Sequence, residues 1–259
     1  MRWNGLERRQ GAVVGGGREF SIFGLQHIAV LGLLSLAGFA LVRLRRCGEA
    51  RREAAGKALG LILLGYAGAI YGQKGMAGEL SWDSALPLEF CHCVLMACVI
   101  SLFRPSRLAT EIAFYWGFAG TLQATLTPDI YRGFPSWEFI QFFWSHGGIL
   151  LAIVFLCFAR DFMPRPGAVM RMFAGVNVYA TVVGGVDAVF GWNYGYLCAK
   201  PVNPSLLDYL GPWPWYLVAL EGIAVASFAL LDLPWWLRRR YATRARRLSL
   251  PHEGPPAAD

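Results

Sequence analysis

The side chain best suited to nucleophilic chemistry is a thiol, Cys91, at the start of an apolar segment. Pro87 suits a first helical turn and either Asp83 or Ser84 suits a cap, so we expect Cys91 near a helix N-terminus. There the helix dipole favours thiolate over thiol, although Glu89 opposes this locally. Cys91 is therefore a candidate nucleophile, the alternative being a small buried apolar residue.

His146 is the matching candidate base. Gly147 and Gly148 follow it and leave the helix face open for a ligand or a neighbouring backbone. The segments of Cys91 and His146 enter the membrane from the same side, and the two residues differ in depth by about one helical turn. A thiol, an imidazole that takes and returns the proton, and a third group that orients the ring are the parts of thiol acyl chemistry.

Four further polar side chains, His27, Asp187, Asn193 and Glu221, lie in or just beyond apolar segments at a similar depth. Such groups usually face the interior of a helix bundle, so they predict a polar cavity that opens towards the outer side of the membrane. Asp187, Asn193 or Glu221 is a candidate for orienting the imidazole. The alternative is that each makes an ordinary hydrogen bond between helices.

We expect neither a metal nor a cofactor. His92 points about 100° away from Cys91 on a helix, which indicates a packing or interfacial role. Cys91, His92 and Cys93 diverge for the same reason and cannot share a metal ion. The six cysteines lack the spacing of a disulfide framework and are expected to be free thiols. A haem held by His27 and His146 is the alternative left open.

Long apolar segments must position these residues, because 56% of the 259 residues are apolar, 16% are charged and the mean hydropathy is +0.41. Soluble domains carry about 25% charged residues, so a soluble enzyme and a disordered chain are both excluded. We predict an all-α polytopic membrane bundle of about seven transmembrane helices forming a single membrane domain, 1–259. The predicted spans are residues 22–42, 54–71, 85–103, 108–126, 138–159, 169–190 and 213–233. No lysine lies in mid-membrane, which excludes a retinal photoreceptor.

The net charge of +7 comes from arginine clusters that flank the spans, and the last of these opens a basic and then Pro-rich tail, 238–259. Clusters next to apolar runs are typical of membrane flanks, and we expect no nucleic-acid partner. Of the 24 Lys and Arg residues, 17 fall on the side of the first, third and fifth loops and the tail. This bias predicts a multi-pass cell-membrane protein with its N-terminus outside and its C-terminus cytoplasmic.

A Pro-rich loop, residues 200–215, has the composition of a membrane-interface segment. Trp213 and Trp215 suit the interface, and the prolines stiffen the loop as a lid across the cavity mouth. Lys200 and Arg132 on the same side are candidates for holding a lipid phosphate. An interfacial belt without a ligand is the alternative.

The stretch 193–221, NYGYLCAKPVNPSLLDYLGPWPWYLVALE, resembles the signature of the YwaF-like bacterial membrane proteins, as do FSIFGLQH, LPLEFC and the HGG run. More distantly the chain resembles the transmembrane protein 164 family of lipid acyltransferases. That family's Cys-His dipeptide matches Cys91-His92, and its downstream histidine matches His146. The resemblance implies an acyl-enzyme on Cys91 with membrane lipids as substrates. The competing hypothesis is a non-catalytic transporter or ligand sensor with Asp187 and Glu221 in its cavity.

Overall fold

Long apolar helices joined by short loops form the part of the chain that this computed structural model describes, residues 19–201 and 206–248. Within those residues the β-structure consists of one isolated antiparallel β-bridge between Glu19 and Arg132. The all-α prediction is confirmed. The N-terminal arm, the centre of the Pro-rich loop (202–205) and the Pro-rich tail end (249–259) lie outside the described residues.

The described helices run in chain order as α1 (Leu25–Arg43), α2 (Glu49–Met76), the short α3 (Trp82–Ala85), α4 (Phe90–Phe103), α5 (Arg107–Trp116), α6 (Gln123–Leu126), α7 (Trp137–Val154), α8 (Ala168–Phe190) and α9 (Trp215–Leu248). A π-helical turn, Gly117–Leu122, joins α5 to α6, and a second, Phe155–Ala159, extends α7. Short 3₁₀ turns occupy Leu44–Arg46, Tyr194–Tyr196 and Leu206–Leu210.

Five of these helical segments are long and apolar enough to cross a membrane: Leu25–Arg46, Glu49–Met76, Trp137–Ala159, Ala168–Phe190 and Trp215–Tyr241. They coincide with five of the predicted spans. The shorter apolar α4 and the continuous α5–α6 segment occupy the positions of the other two. The protein is thus a multi-pass membrane protein, and the count of seven spans stays a prediction.

Side chains and glycines set the helix ends. The Ser106 hydroxyl accepts a hydrogen bond from the Ala109 N–H at 3.3 Å and caps α5. Ser136 caps α7 in the same way through the Phe139 N–H at 3.2 Å. Gly191 ends α8 at φ +73°, a left-handed conformation that glycine adopts without a Cβ clash.

The predicted cap of the Cys91 helix is wrong. Asp83 and Ser84 belong to the separate short helix α3, and α4 begins only at Phe90 with Glu89 in the cap position. Pro87 in the intervening stretch explains the break, because proline has no N–H to continue a helix. Cys91 is consequently the second residue of its helix, closer to the N-terminus than expected.

The protein core lies among α4, α5 and α7, whose side chains Val94, Cys98, Ala113, Ile149 and Ile153 are fully buried. Of the 18 most apolar consecutive residues in the α7 segment, 56% are buried, whereas the corresponding share is 11% in the α1 and α8 segments. The helix α7 is therefore central in the bundle, and α1 and α8 face lipid.

The open face that Gly147 and Gly148 give α7 is taken by neighbouring helices. A Cβ on Gly147 would lie 2.8 Å from Leu34 of α1, and one on Gly148 would lie 2.8 Å from Leu63 of α2. The two glycines therefore let α1 and α2 approach α7 closely beside His146. This face of α7 is occupied by neighbouring helices rather than left open for a ligand.

Candidate functional site

Cys91 sits half-buried at the N-terminus of α4, where the backbone N–H groups of Cys91 and His92 lie against its sulfur. Both amides belong to the first turn of α4 and favour a negative charge on the sulfur, while the His92 N–H also donates to the Glu89 carbonyl at 2.9 Å. Glu89 lies close enough to oppose that charge. The carboxylate of Glu89 is itself anchored, because its Oε2 accepts a hydrogen bond from the Gly195 N–H at 3.1 Å.

A second contact fixes the entry into α4. The Tyr179 hydroxyl of α8 donates to the Leu88 carbonyl at 2.7 Å. Together with the bond between Glu89 and Gly195, it holds the start of α4 against α8 and the loop that follows α8. The backbone next to Cys91 is therefore held from two sides.

His146 is oriented by groups on its own helix. Its Nδ1 lies 2.9 Å from the Ser145 hydroxyl and 3.1 Å from the Phe142 carbonyl, and its ring stacks on Phe142 at 4.2 Å. Because a carbonyl oxygen only accepts, Nδ1 carries the proton. The Ser145 hydroxyl donates to the same carbonyl at 3.0 Å, which leaves its oxygen free to accept from Nδ1. Nε2 then holds a lone pair, as a general base requires.

Tyr66 of α2 connects the two candidates. Its phenol faces the Ser145 hydroxyl and lies within electrostatic range of Cys91. His92, beside Cys91, lies in turn within range of His146. The helices α2, α4 and α7 all pack against one another. We call Tyr66, Cys91, His92, Ser145 and His146 the thiol–imidazole cluster; among the described residues Cys91 and His146 make no direct hydrogen bond.

No sequence signal pointed to Tyr66 or Ser145. Tyr66 is one of several tyrosines in apolar segments, and a serine beside a histidine is common. Their roles depend on the register of α2 against α7, which is set by packing of Leu63 on Gly148 and by the hydrogen bond from the Trp144 indole of α7 to the Ile62 carbonyl of α2. The orienting group for His146 is thus Ser145 with the Phe142 carbonyl, rather than one of the three predicted candidates.

Those candidates make other contacts. Asn193 organises its own loop, because its side chain accepts from the Cys198 and Ala199 N–H groups and donates to the Ala199 carbonyl. The Glu221 carboxylate of α9 accepts from the Asn177 amide of α8 at 3.0 Å.

Asp187 of α8 differs from both. It is fully buried, and among the described residues neither carboxylate oxygen has a hydrogen-bond partner. It lies within electrostatic range of Glu89.

His27 is fully buried among Phe20, Phe23 and Phe143. Its Nδ1 accepts from the Phe23 N–H at 3.0 Å, and its Nε2 donates to the Thr125 carbonyl at 3.0 Å. Both ring nitrogens are occupied, so a haem axial ligand at His27 is excluded. Among the described residues no three His, Cys, Asp or Glu side chains stand close enough to hold a metal ion.

The predicted interface residues are partly exposed. Trp213 and Trp215 are 59% and 65% exposed, and the Trp213 indole donates to the Leu197 carbonyl. Lys200 lies 3.8 Å from Asp208 and 5.6 Å from the Tyr216 ring centroid. Arg132 donates its backbone N–H to Glu138. Whether these residues hold a lipid stays a prediction.

A groove of about 310 Å³ runs between α2 and α4. Along α4 its lining runs from His92 to Ile100 and includes Leu95 and Val99, Pro87 lines it just before α4 starts, and Ala67 and Ile70 stand on the α2 wall. The Nδ1 of His92 is buried and makes no hydrogen bond within the described chain. The groove therefore adjoins the thiol–imidazole cluster through His92.

Comparison with known proteins returns one informative match. No curated protein and no solved structure matches the chain. The model of the TMEM164 family matches residues 22–232, which include the described helices from α1 to the middle of α9 and every member of the thiol–imidazole cluster. The expected resemblance to that family is confirmed: the chain belongs to the TMEM164 family.

Proposed function

We propose that the protein is an integral membrane lipid acyltransferase or acyl hydrolase that works through an acyl-enzyme on Cys91. The observation that carries the proposal is the state of His146, whose Nδ1 is held by Ser145 and the Phe142 carbonyl so that Nε2 is a base beside the Cys91 helix. The match to the TMEM164 family model over residues 22–232, which include Cys91, His92 and His146, supports it.

The first half-reaction transfers an acyl group to sulfur. His146 Nε2 takes the thiol proton, the Cys91 sulfur attacks the ester carbonyl carbon of a membrane lipid, and a C–S bond forms. The C–O bond to the lipid backbone then breaks, and the departing oxygen takes the proton from His146. Contacts in a substrate-free enzyme are commonly longer than in the reacting complex, so the gap between Cys91 and His146 is compatible with this step.

The second half-reaction releases the acyl group. A hydroxyl of an acceptor lipid, or water, gives its proton to Nε2 and attacks the thioester. A C–O bond forms, the C–S bond breaks, and the sulfur recovers the proton. In this proposal the first backbone N–H groups of α4, among them that of Cys91, stabilise the negative oxygen of each tetrahedral intermediate. Both steps take place in the outer half of the bilayer in the proposed orientation.

Intact-protein mass spectrometry after incubation with phospholipid vesicles tests this function. We expect a fatty-acyl mass increment on the wild type, none on Cys91→Ala and slower formation on His146→Ala. Cys93→Ala is the matched control, because Cys93 lies on the same helix with its sulfur 3.9 Å from the Pro87 carbonyl. An increment that persists in Cys91→Ala, or is absent from the wild type, overturns the proposal.

A non-catalytic transporter or ligand sensor is the second candidate, and the unpartnered Asp187 carboxyl favours it. A buried carboxyl group without a partner is costly and is typical of transport pathways. In that case Asp187→Asn abolishes function, whereas Cys91→Ala leaves it unchanged. Under the acyltransferase proposal the thiol substitution is the one that eliminates activity.

A further inference from the structure

We propose that the groove between α2 and α4 binds the acyl chain of the lipid that reacts at Cys91, and thereby sets which chain lengths are used. This inference rests on the proposed function and names the substrate group that the site selects. The observations behind it are the position, the chemistry and the length of the groove.

The groove begins beside the thiol, although Cys91 itself does not line it. His92, the residue after Cys91, lines the groove at the end where α4 starts, and Tyr66 of the thiol–imidazole cluster lines the α2 wall. An ester carbonyl held at Cys91 would therefore place the first carbons of its chain at this end. The groove follows α4 away from its N-terminus, so the chain would extend deeper into the membrane.

The chemistry of the walls suits a hydrocarbon. Apart from His92 and the two tyrosines, the lining consists of aliphatic side chains, Met96 and Pro87. A headgroup or a polar solute would lose its hydrogen bonds to water there without replacement. Inside a membrane the acyl chain is already out of water, so its binding in the groove is stabilised by close packing against the walls.

The dimensions set a limit. Eight residues separate His92 from Ile100 on α4, which corresponds to about 12 Å of helix. The volume of about 310 Å³ lies at the lower end of ordinary ligand pockets, roughly 300 to 1,000 Å³. A groove of this length and volume accommodates one chain, and a larger side chain at Ala67, in the middle of the α2 residues that line it, would shorten the space for that chain.

Ala67→Phe tests the proposal because it fills the middle of the groove without touching Cys91 or His146. Ala58→Phe is the matched control, since Ala58 lies on the same helix with an exposed side chain outside the groove. We expect Ala67→Phe to slow acylation of Cys91 by a palmitoyl donor at least about tenfold relative to an octanoyl donor. Ala58→Phe should leave that ratio as in the wild type.

A second measurement separates failure of the groove from failure of the enzyme function. Cys91→Ala protein in vesicles that contain a phospholipid with a diazirine near the chain end is irradiated, and the labelled peptides are identified. We expect labelling of residues 95–100, reduced by Ala67→Phe and unchanged by Ala58→Phe. If both substitutions leave this labelling unchanged, the groove is only part of the general lipid-facing surface and the inference fails, whatever the activity of Cys91.

Discussion

At the scale of single residues, the tautomer of His146 is the feature that activity should depend on. Two acceptors on α7, the Ser145 hydroxyl and the Phe142 carbonyl, hold Nδ1–H, so no carboxylate is needed to orient the ring. This arrangement avoids burying a charge near the thiolate that must form. A carboxylate beside His146 would have added a second negative charge to the one that Glu89 already places near Cys91.

Ser145→Ala should therefore slow the enzyme without stopping it. The Phe142 carbonyl still accepts from Nδ1, so the loss is one neutral hydrogen bond, about 1 kcal/mol or roughly fivefold in the rate of thioester formation. A positioning role predicts that kcat falls and KM stays constant. Single-turnover acylation followed by mass spectrometry measures the rate, and steady-state kinetics separates the two parameters.

Ser35→Ala is the control for that experiment. The Ser35 hydroxyl on α1 donates only to the Leu31 carbonyl of its own helix, at 2.8 Å. Its removal should leave the acylation rate unchanged. Equal rates for Ser145→Ala and the wild type would contradict the orienting role assigned to Ser145.

Local sequence signals proposed Cys91 and His146 but could not describe their surroundings. The Cys-His dipeptide and the glycine pair are such local signals, and the catalytic roles of the two residues stay a prediction. Ser145 and Tyr66 enter through packing between α2 and α7. Asp187 and Glu221 were grouped with the site by depth alone, and depth does not fix which way a helix faces.

At the scale of elements, hydropathy located the helices but not all of their ends. The span at 138–159 agrees to within one residue with α7 and its π-helical extension taken together, and the span at 169–190 agrees equally well with α8. The span predicted at 54–71 is part of the longer α2, because the charged first turn, including Glu49 and Arg51, is helical before the apolar stretch begins. Apolar composition marks the membrane-buried part of a helix, whereas hydrogen bonding continues the helix into water.

One contact between elements depends on a buried charge that the sequence did not reveal. Glu111 of α5 is fully buried and receives hydrogen bonds from Arg165 at 2.7 Å and from Arg171 at 2.9 Å. Arg165 lies in the loop before α8 and Arg171 lies on α8. The carboxylate thus joins α5 to α8 at the end of the bundle opposite Cys91.

Glu111→Gln should weaken this junction strongly. The substitution removes the charge while leaving the two guanidinium groups facing a neutral amide, and breaking a buried ion pair by changing one partner is costly. We expect the apparent melting temperature in detergent to fall by at least about 5 °C. Circular dichroism at the helix minimum during heating measures the change.

Glu53→Gln provides the comparison. Glu53 also pairs with a cation, Lys57 at 2.7 Å, but both side chains are more than half exposed. Exposed pairs contribute little to stability, so the melting temperature should stay close to that of the wild type. If the two glutamate substitutions lower the melting temperature equally, burial of Glu111 does not stabilise the junction.

At the scale of the whole molecule, the two ends of the helix bundle differ: one end is rich in arginine and the other carries Cys91. Arg45 pairs with Asp161, Arg160 donates to the Ser101 and Leu102 carbonyls, and Arg239 donates to the Pro164 carbonyl. These contacts collect the arginine clusters at one end of the bundle. The start of α4, with Cys91, lies at the other end, where Glu89 meets Gly195.

Two native cysteines mark these ends. Cys47 follows α1 at the arginine-rich end, and Cys198 follows α8 at the Cys91 end. Because positively charged loops stay in the cytoplasm, we expect Cys47 inside and Cys198 outside. In variants that keep only one of these cysteines, a membrane-impermeant maleimide should label Cys198 in intact cells and Cys47 only after permeabilisation.

The chemistry of Cys198 sets the conditions of that experiment. Burial raises the pKa of the Cys198 thiol, so less thiolate is present at neutral pH and labelling should become faster as the pH is raised. The comparison is therefore made at mildly alkaline pH with time courses for both variants. The reverse pattern, Cys47 labelled in intact cells and Cys198 protected, would place the thiol–imidazole cluster in the inner half of the bilayer. The proposed lipid substrate would then have to come from the cytoplasmic leaflet, because the start of α4 opens only towards its own side.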